Sequence, residues 1–177
     1  MLNQARRQPT FTMPKPPELI STKVAIFSRR GDATDPVGDG NKIICHSCND
    51  LGRWGRGFVL AISRRWKEPE AEFRRWHRDG VGFALGEIQM VQVEEELWVA
   101  NMIGQHGVGQ GAEGPPVRYE ALRSCLEKVT SRAKELSASV HMPRIGCGLA
   151  GGKWENVEPL LIETLYQAGV FVSVYDL

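Results

Sequence analysis

The sequence predicts an α/β fold in which helices cover both faces of a mixed, largely parallel sheet. Three observations carry that reading. Strand-like and helix-like segments alternate through the second half of the chain, the order that produces parallel strands joined by crossover helices. Residues 42–48 (Lys-Ile-Ile-Cys-His-Ser-Cys) are mostly apolar rather than alternating, as in a central strand buried on both faces. Three glycine-rich segments each follow directly on a strand, so they are expected to gather at the carboxyl edge of the sheet, where open α/β sheets bind ligands. The 177 residues, 42% of them hydrophobic, suffice for one domain with a sizeable core.

Residues 1–20 carry Pro9, Pro14, Pro16 and Pro17 among polar and basic residues without periodicity, and are expected to form a flexible tail, or an upstream extension of the first strand, ahead of a domain spanning 21–177. Residues 23–28 read as the first strand, with 29–36 turning out of it. The strand at 42–48 leads into a loop at 49–57 and a helix over 58–66. A second helix over 68–78 has Pro69 in its first turn, where a missing N–H costs least, and Phe73 and Trp76 on its inward face. Residues 87–93 and 97–102 are two strands joined through Glu94, Glu95 and Glu96, a solvated hairpin turn. After a long loop at 104–116, Leu122, Leu126, Val129 and Ala133 fall on one helical stripe. A strand at 139–142, a helix over 154–168 ended by Gly169, and a strand at 170–175 complete the pattern.

Charge narrows the function classes. Lys and Arg total 22 against 21 Asp and Glu, a formal net charge of +1, so no basic field drives direct nucleic-acid binding and an anionic ligand has to be held locally. Cys45, Cys48, Cys125 and Cys147 are unevenly spaced and no apolar leader opens the sequence, which points to a reduced, cytoplasmic setting. No apolar run approaches the roughly 18 residues of a membrane span, and a soluble monomer is expected. Cys45 and Cys48 form a C-x-x-C pair without a second pair at zinc spacing; core packing is the expected role, and no metal or cofactor is implied. His46, His77 and His141 read as strand or helix residues without partners.

The densest motif is residues 139–154, Ser-Val-His-Met-Pro-Arg-Ile-Gly-Cys-Gly-Leu-Ala-Gly-Gly-Lys-Trp. Strand, glycine loop and helix start together suit a phosphate, because glycines bring the backbone close and successive N–H groups supply positive potential. Gly146, Gly148 and Gly151 also satisfy G-x-G-x-x-G, with Asp176 where a dinucleotide fold keeps an acidic residue, but no further strands follow for the rest of a nicotinamide-binding half. Cys147 stands in this loop with no base identified for a nucleophile. The loop at 49–57 holds Gly52, Gly55 and Gly57, a matching wall for a diphosphate pinched between main-chain amides.

The residues 142–149, followed by Trp154-Glu-Asn-Val and the closing Val172-Ser-Val-Tyr175, resemble the macrodomain family. The likeness is to the branch containing terminal ADP-ribose protein glycohydrolase. The segments at 52–57, 105–106 and 138–146 are also similar to the macrodomain of a poly(ADP-ribose)-activated chromatin remodeller. The resemblance runs from about residue 23 onward. It implies a three-layer α/β/α fold and a cleft for ADP-ribose or an ADP-ribosylated protein. By motif, Asp32 and Ala33 match the adenine-side turn, and Tyr175 matches an aromatic packed on adenine. Asn49, Asp50, Gly52, Trp54, Gly55, Gly57 and Phe58 match the loop around the distal ribose and one phosphate. Gly146, Cys147, Gly148, Leu149, Ala150 and Gly151 match the opposite phosphate loop. Read without the resemblance, Asp32 caps a turn, Tyr175 is a core aromatic and Trp54 anchors its loop to the core.

The resemblance breaks at the catalytic groups. The glycohydrolase uses a lysine and an aspartate where this sequence has Gly104 or Gln105 and Ala150. Hydrolysis of an ADP-ribosyl ester asks for less, since a carboxylate leaves with little protonation, and a positioned water would serve with the ligand's phosphate as base. Asn49, Asp50 and His106 are the polar candidates near that sugar: Asp50 to orient the water, His106 to carry a proton unless it is merely a solvated loop residue. A non-catalytic reader of ADP-ribose, or a phosphatase acting on ADP-ribose 1″-phosphate, stands as the alternative.

Overall fold

A computed structural model of the chain describes residues 26–109 and 114–176. The tail reading of residues 1–20 lies outside them. Six strands form one sheet in the order β1-β6-β5-β2-β4-β3. They are β1 (Ile26–Arg30), β2 (Lys42–Asn49), β3 (Ile88–Glu94), β4 (Leu97–Gln105), β5 (Ser139–Pro143) and β6 (Val172–Asp176). All neighbours are parallel except the β3–β4 hairpin, which turns through Glu95 and Glu96. Helices α1 (Phe58–Arg65) and α2 (Glu68–Asp79) cover one face, and α3 (Tyr119–Leu136) and α4 (Trp154–Leu161) the other. This is the three-layer α/β/α arrangement with a mixed, largely parallel sheet.

Alternation along the central strands divides the core. Ile43, Cys45, Met102, Val140 and Val174 meet the stripe Leu122, Leu126, Val129 and Ala133 of α3, together with Val157 and Leu161 of α4. On the opposite face Ile44, Cys48, Val99 and Ile103 meet Val59 and Ile62 of α1 and Phe73 of α2. Cys45 and Cys48 therefore serve separate cores on opposite faces of one strand and share no ligand geometry.

Several boundaries differ from the sequence reading. Arg29 and Arg30 belong to β1, paired with Tyr175 and Asp176, rather than to the turn after it. Residues 103–105 continue β4 instead of opening the third loop, because Gly104 lies under Leu122: a Cβ there would stand 2.4 Å from Leu122 Cδ2. The last helix is α only to Leu161, then widens into a π turn over Ile162–Tyr166 past Pro159, while Thr164 Oγ1 bonds the Leu160 carbonyl at 2.7 Å. A proline nitrogen cannot donate into the helical ladder, so irregular turns in this helix have a local cause.

The histidines read as partnerless are not. His46 Nε2 lies 2.6 Å from Asn101 Oδ1. Asn101 Nδ2 already donates to the Pro69 carbonyl and to Gln89 Oε1, so Oδ1 must accept and His46 is the Nε2–H tautomer. His141 Nδ1 faces the Tyr175 hydroxyl at 3.0 Å and its Nε2 faces Ser139 Oγ at 2.8 Å. His77 packs its ring over Gly52 and against Phe83. Burial lowers both His46 and His141 to a pKa of about 4, with Lys42 and Arg29 adding to the effect at His141.

An unfolded histidine takes up its proton near pH 6.5, whereas these two stay neutral until about pH 4. Below pH 6.5 the unfolded state then binds more protons, and stability falls as pH falls. Urea unfolding across pH 7 to 4 should show a slope of up to about 1.4 kcal/mol per pH unit for each histidine, reduced in His141→Gln. A flat profile would mean that neither ring is held neutral.

Candidate functional site

Because five strands run parallel, the loops after β2, β4 and β5 emerge at one edge of the sheet. Between them lies a cleft of about 840 Å³. Of the residues the sequence singled out, Asn49, Trp54, Gly55, Gly57, Phe58, Gly146, Gly148, Leu149 and Ala150 line it. Among the described residues its charged lining side chains are Arg53, Arg56, Arg74 and Arg144, with no carboxylate among them. An anion entering this cleft meets a positive wall, although the chain as a whole is nearly neutral.

The first wall is braced in two ways. Asn49 Oδ1 accepts from the amides of Leu51 and Arg53, and its Nδ2 donates to the Arg53 carbonyl at 2.7 Å. Its Oδ1 and one Nδ2 proton are thus engaged in shaping the loop. Trp54 is anchored to the core, its ring edge-on to His46 and 5.5 Å from Phe73. A closed circuit holds it: Trp54 Nε1 donates to Ser63, Ser63 Oγ to Glu70, Arg74 Nε to Glu70, and Arg74 Nη2 back to the Trp54 carbonyl. Helix α1 starts at Phe58 without a side-chain cap; the Leu60 amide bonds the Gly57 carbonyl at 3.1 Å, and the amides of Phe58 and Val59 are left without a side-chain partner.

Asp50 ties the first wall to the third loop. Its Oδ1 accepts from the Gly107 amide at 2.8 Å, its Oδ2 contacts His106 Nδ1 at 2.6 Å, and its own amide donates to the Gln105 carbonyl. Burial pushes the Asp50 carboxyl up, but the Gly107 amide and the hydrogen bond and charge of His106 together bring it below the ordinary value. An ionised carboxylate only accepts, so His106 donates from Nδ1 and is left with Nε2 as its outward group. Both Asp50 oxygens are thereby occupied, and neither Asp50 nor His106 is among the residues lining the cleft, although Gln105 and Val108 on either side of His106 in the sequence are.

The second wall follows β5. Gly146 has φ 72°, and Gly152 donates to the Gly146 carbonyl at 2.8 Å, closing the loop on itself. Cys147 donates its thiol to the Ile145 carbonyl at 3.4 Å, and burial raises its pKa, so it is not an activated nucleophile. Cys147 and Gly151 shape this loop without lining the cleft, as does Gly52 on the other side. Leu149 is 65% exposed, its Cδ1 3.4 Å from the position of a Cβ on Gly57.

The adenine-side residues lie together but outside the lining. Asp32 Oδ1 accepts from the Thr34 amide at 2.8 Å, capping its turn. Ala33 is buried beneath, and Tyr175 is 5% exposed with its hydroxyl accepting from the Val37 amide. Arg53, Arg56 and Arg144 belong to the two glycine-loop motifs; Arg74 arrives from α2, where no local sequence signal marks it.

Residues 45–161 match the Macro domain family. The chain belongs to that family. It is 31% identical over 164 residues to the chromodomain-helicase-DNA-binding protein 1-like of Danio rerio, covering 88% of this chain and 16% of that one. The chain thus spans less than a fifth of the length of that relative. Over 60 residues, 33% of this chain and 40% of the other, it is 40% identical to the ADP-ribose glycohydrolase OARD1 of Bos taurus. Among solved structures, a macrodomain protein from Streptomyces coelicolor is 57% identical with a TM-score of 0.78, covering 86% of this chain and 99% of that one. Macrodomains bind ADP-ribose or ADP-ribosylated substrates, and hydrolases occur among them.

The macrodomain's loop glycines can be sorted by substitution. A Cβ on Gly152 would stand 2.5 Å from the Gly146 carbonyl oxygen, whereas Cβ atoms on Gly55 and Gly148 meet nothing within 4 Å. Gly152→Ala should lower stability by about 1–3 kcal/mol in urea unfolding. Gly55→Ala and Gly148→Ala should match the parent within about 0.5 kcal/mol. The opposite ranking would show that the loops are held differently.

Proposed function

We propose that the chain binds ADP-ribose in this cleft and hydrolyses ADP-ribosyl esters of carboxylates. One observation carries the reading. Gly55 and Gly148 stand on two walls of an arginine-lined cleft at positions where neither the backbone conformation nor the surrounding atoms call for glycine. Space kept bare on both sides, with main-chain amides beside it, suits a diphosphate. The 840 Å³ of the cleft is within the range of small-molecule sites.

Catalysis on this reading uses water. The water oxygen bonds to the anomeric carbon of the distal ribose while the bond from that carbon to the carboxylate oxygen breaks. The water proton passes to His106 Nε2, and ADP-ribose and a free carboxylate result. Asp50 positions His106 through Nδ1. The lysine of the glycohydrolase has no counterpart: Gly104 has no room for a side chain, and the cleft-lining neighbour is Gln105. That absence, with Ala150 in place of the aspartate, favours the second reading, a binder that does not turn its ligand over.

Calorimetry with ADP-ribose should give a micromolar dissociation constant, about 8 kcal/mol. Gly55→Val and Gly148→Val should each lose at least about tenfold in affinity with unchanged unfolding; retained affinity removes the diphosphate from between these loops. Under single turnover, label on aspartate or glutamate should be released while serine-linked label remains. His106→Ala should slow release by about 10²-fold at unchanged affinity. Binding without release would establish the reader.

A further inference from the structure

Arg144 gives the cleft something the glycine loops do not, a cation fixed in place. Its Nε and Nη2 donate to Asp176 Oδ1 and Oδ2 at 2.6 and 2.9 Å. Its guanidinium carbon lies 4.8 Å from the ring centre of Trp154, so one face of the plane is covered. Ser28 Oγ donates to Asp176 Oδ2 at 3.3 Å and steadies the carboxylate from β1. The exit of β5, the end of β6 and the first residue of α4 thus converge on one side chain.

The pairing with Asp176 is side-on, using one N–H on Nε and one on Nη2. A guanidinium has five N–H donors in a planar fork, so the end-on edge, formed by Nη1 and the second Nη2 proton, is left over. That edge has no partner among the described residues. Arg144 is 40% exposed and lines the cleft beside Ile145, Gly146 and Gly148. The other cleft arginines are placed differently. Arg53 and Arg56 are exposed and unpaired among the described residues, so binding an anion costs them rotamer freedom. Arg74 is spent on Glu70 and the Trp54 carbonyl.

Resting on the ADP-ribose reading above, we propose that Arg144 is a specificity-determining residue whose end-on edge takes a phosphate oxygen of the bound nucleotide diphosphate. The site then selects ligands with a pyrophosphate over nucleosides and sugars without one. Asp176 and Trp154 are positioning residues, which hold the fork in its binding geometry before the ligand arrives. The Asp176 charge also offsets that of the arginine, so the phosphate gains a directed hydrogen-bonding edge rather than a bare cation.

The test is calorimetry of the parent, Arg144→Gln and Arg144→Lys with ADP-ribose, adenosine and inorganic pyrophosphate, with thermal unfolding alongside. Arg144→Gln should weaken ADP-ribose and pyrophosphate about tenfold and leave adenosine unchanged; Arg144→Lys, keeping charge without the fork, should recover part of the loss. Equal losses for all three ligands would assign Arg144 to holding the strand ends together, and unchanged binding would remove it from the ligand; either result overturns the proposal. Should Arg144→Gln fail to fold, Arg144→Lys carries the comparison, with a selective loss of about threefold expected. A parent that binds pyrophosphate through Arg144 but not ADP-ribose would sink the functional reading and leave this one standing. A parent that binds neither sinks both.

Discussion

Five strands running parallel through β1-β6-β5-β2-β4 are the constraint on which the rest of this molecule depends. A parallel pair cannot be joined by a tight turn, so every return crosses a face of the sheet, and the carboxyl ends collect along one edge. Helices cover both faces of the central strands, which is why those strands are apolar on both sides. The loops meet at one edge because they have nowhere else to begin. What remains for the loops is to stay apart at the right width. Asp50 bridges the loops after β2 and β4, and the Trp54–Ser63–Glu70–Arg74 circuit pins the first of these to α1 and α2.

The parts of this arrangement legible in the sequence are those written in nearby residues. The apolar run of β2, the α3 stripe and the acidic hairpin turn are each set by side chains a few positions apart, and each stands where the pattern puts it. What escaped depends on distant partners. By sequence Gly104 opens a loop, because glycine usually marks one; in the fold it is a strand residue close under Leu122, eighteen residues further on in another element. By sequence His46 is solitary, because its partner, Asn101, belongs to a different strand. Arg74 reaches the cleft wall from the middle of a helix whose composition says only that one face is solvated.

The site shows the same division. Motif resemblance points to two glycine loops that both border the cleft, but it does not say which polar residues are free. Asn49 and Asp50 carry the right chemistry in the right loop, yet their oxygens are already taken by main-chain amides and by His106. Satisfying buried amides is what short polar side chains at strand exits commonly do, and it competes with catalysis for the same lone pairs. The residue left with an unspent group is His106, whose placement depends on Asp50.

Glycine content alone therefore says little about a ligand. Gly52 at φ 66° under the His77 ring and Gly152 against the Gly146 carbonyl are glycines because the chain could not otherwise close its loops. Gly55 and Gly148 meet neither condition: both line the cleft, and a Cβ there would meet nothing within 4 Å. A fold gains nothing from such positions: glycine increases the entropy of the unfolded chain and packs against nothing. Their value has to lie in what occupies the space. With arginines on the lining and no carboxylate among the described lining residues, that space suits an anion narrow enough to pass between two backbones, the shape of the pyrophosphate proposed above.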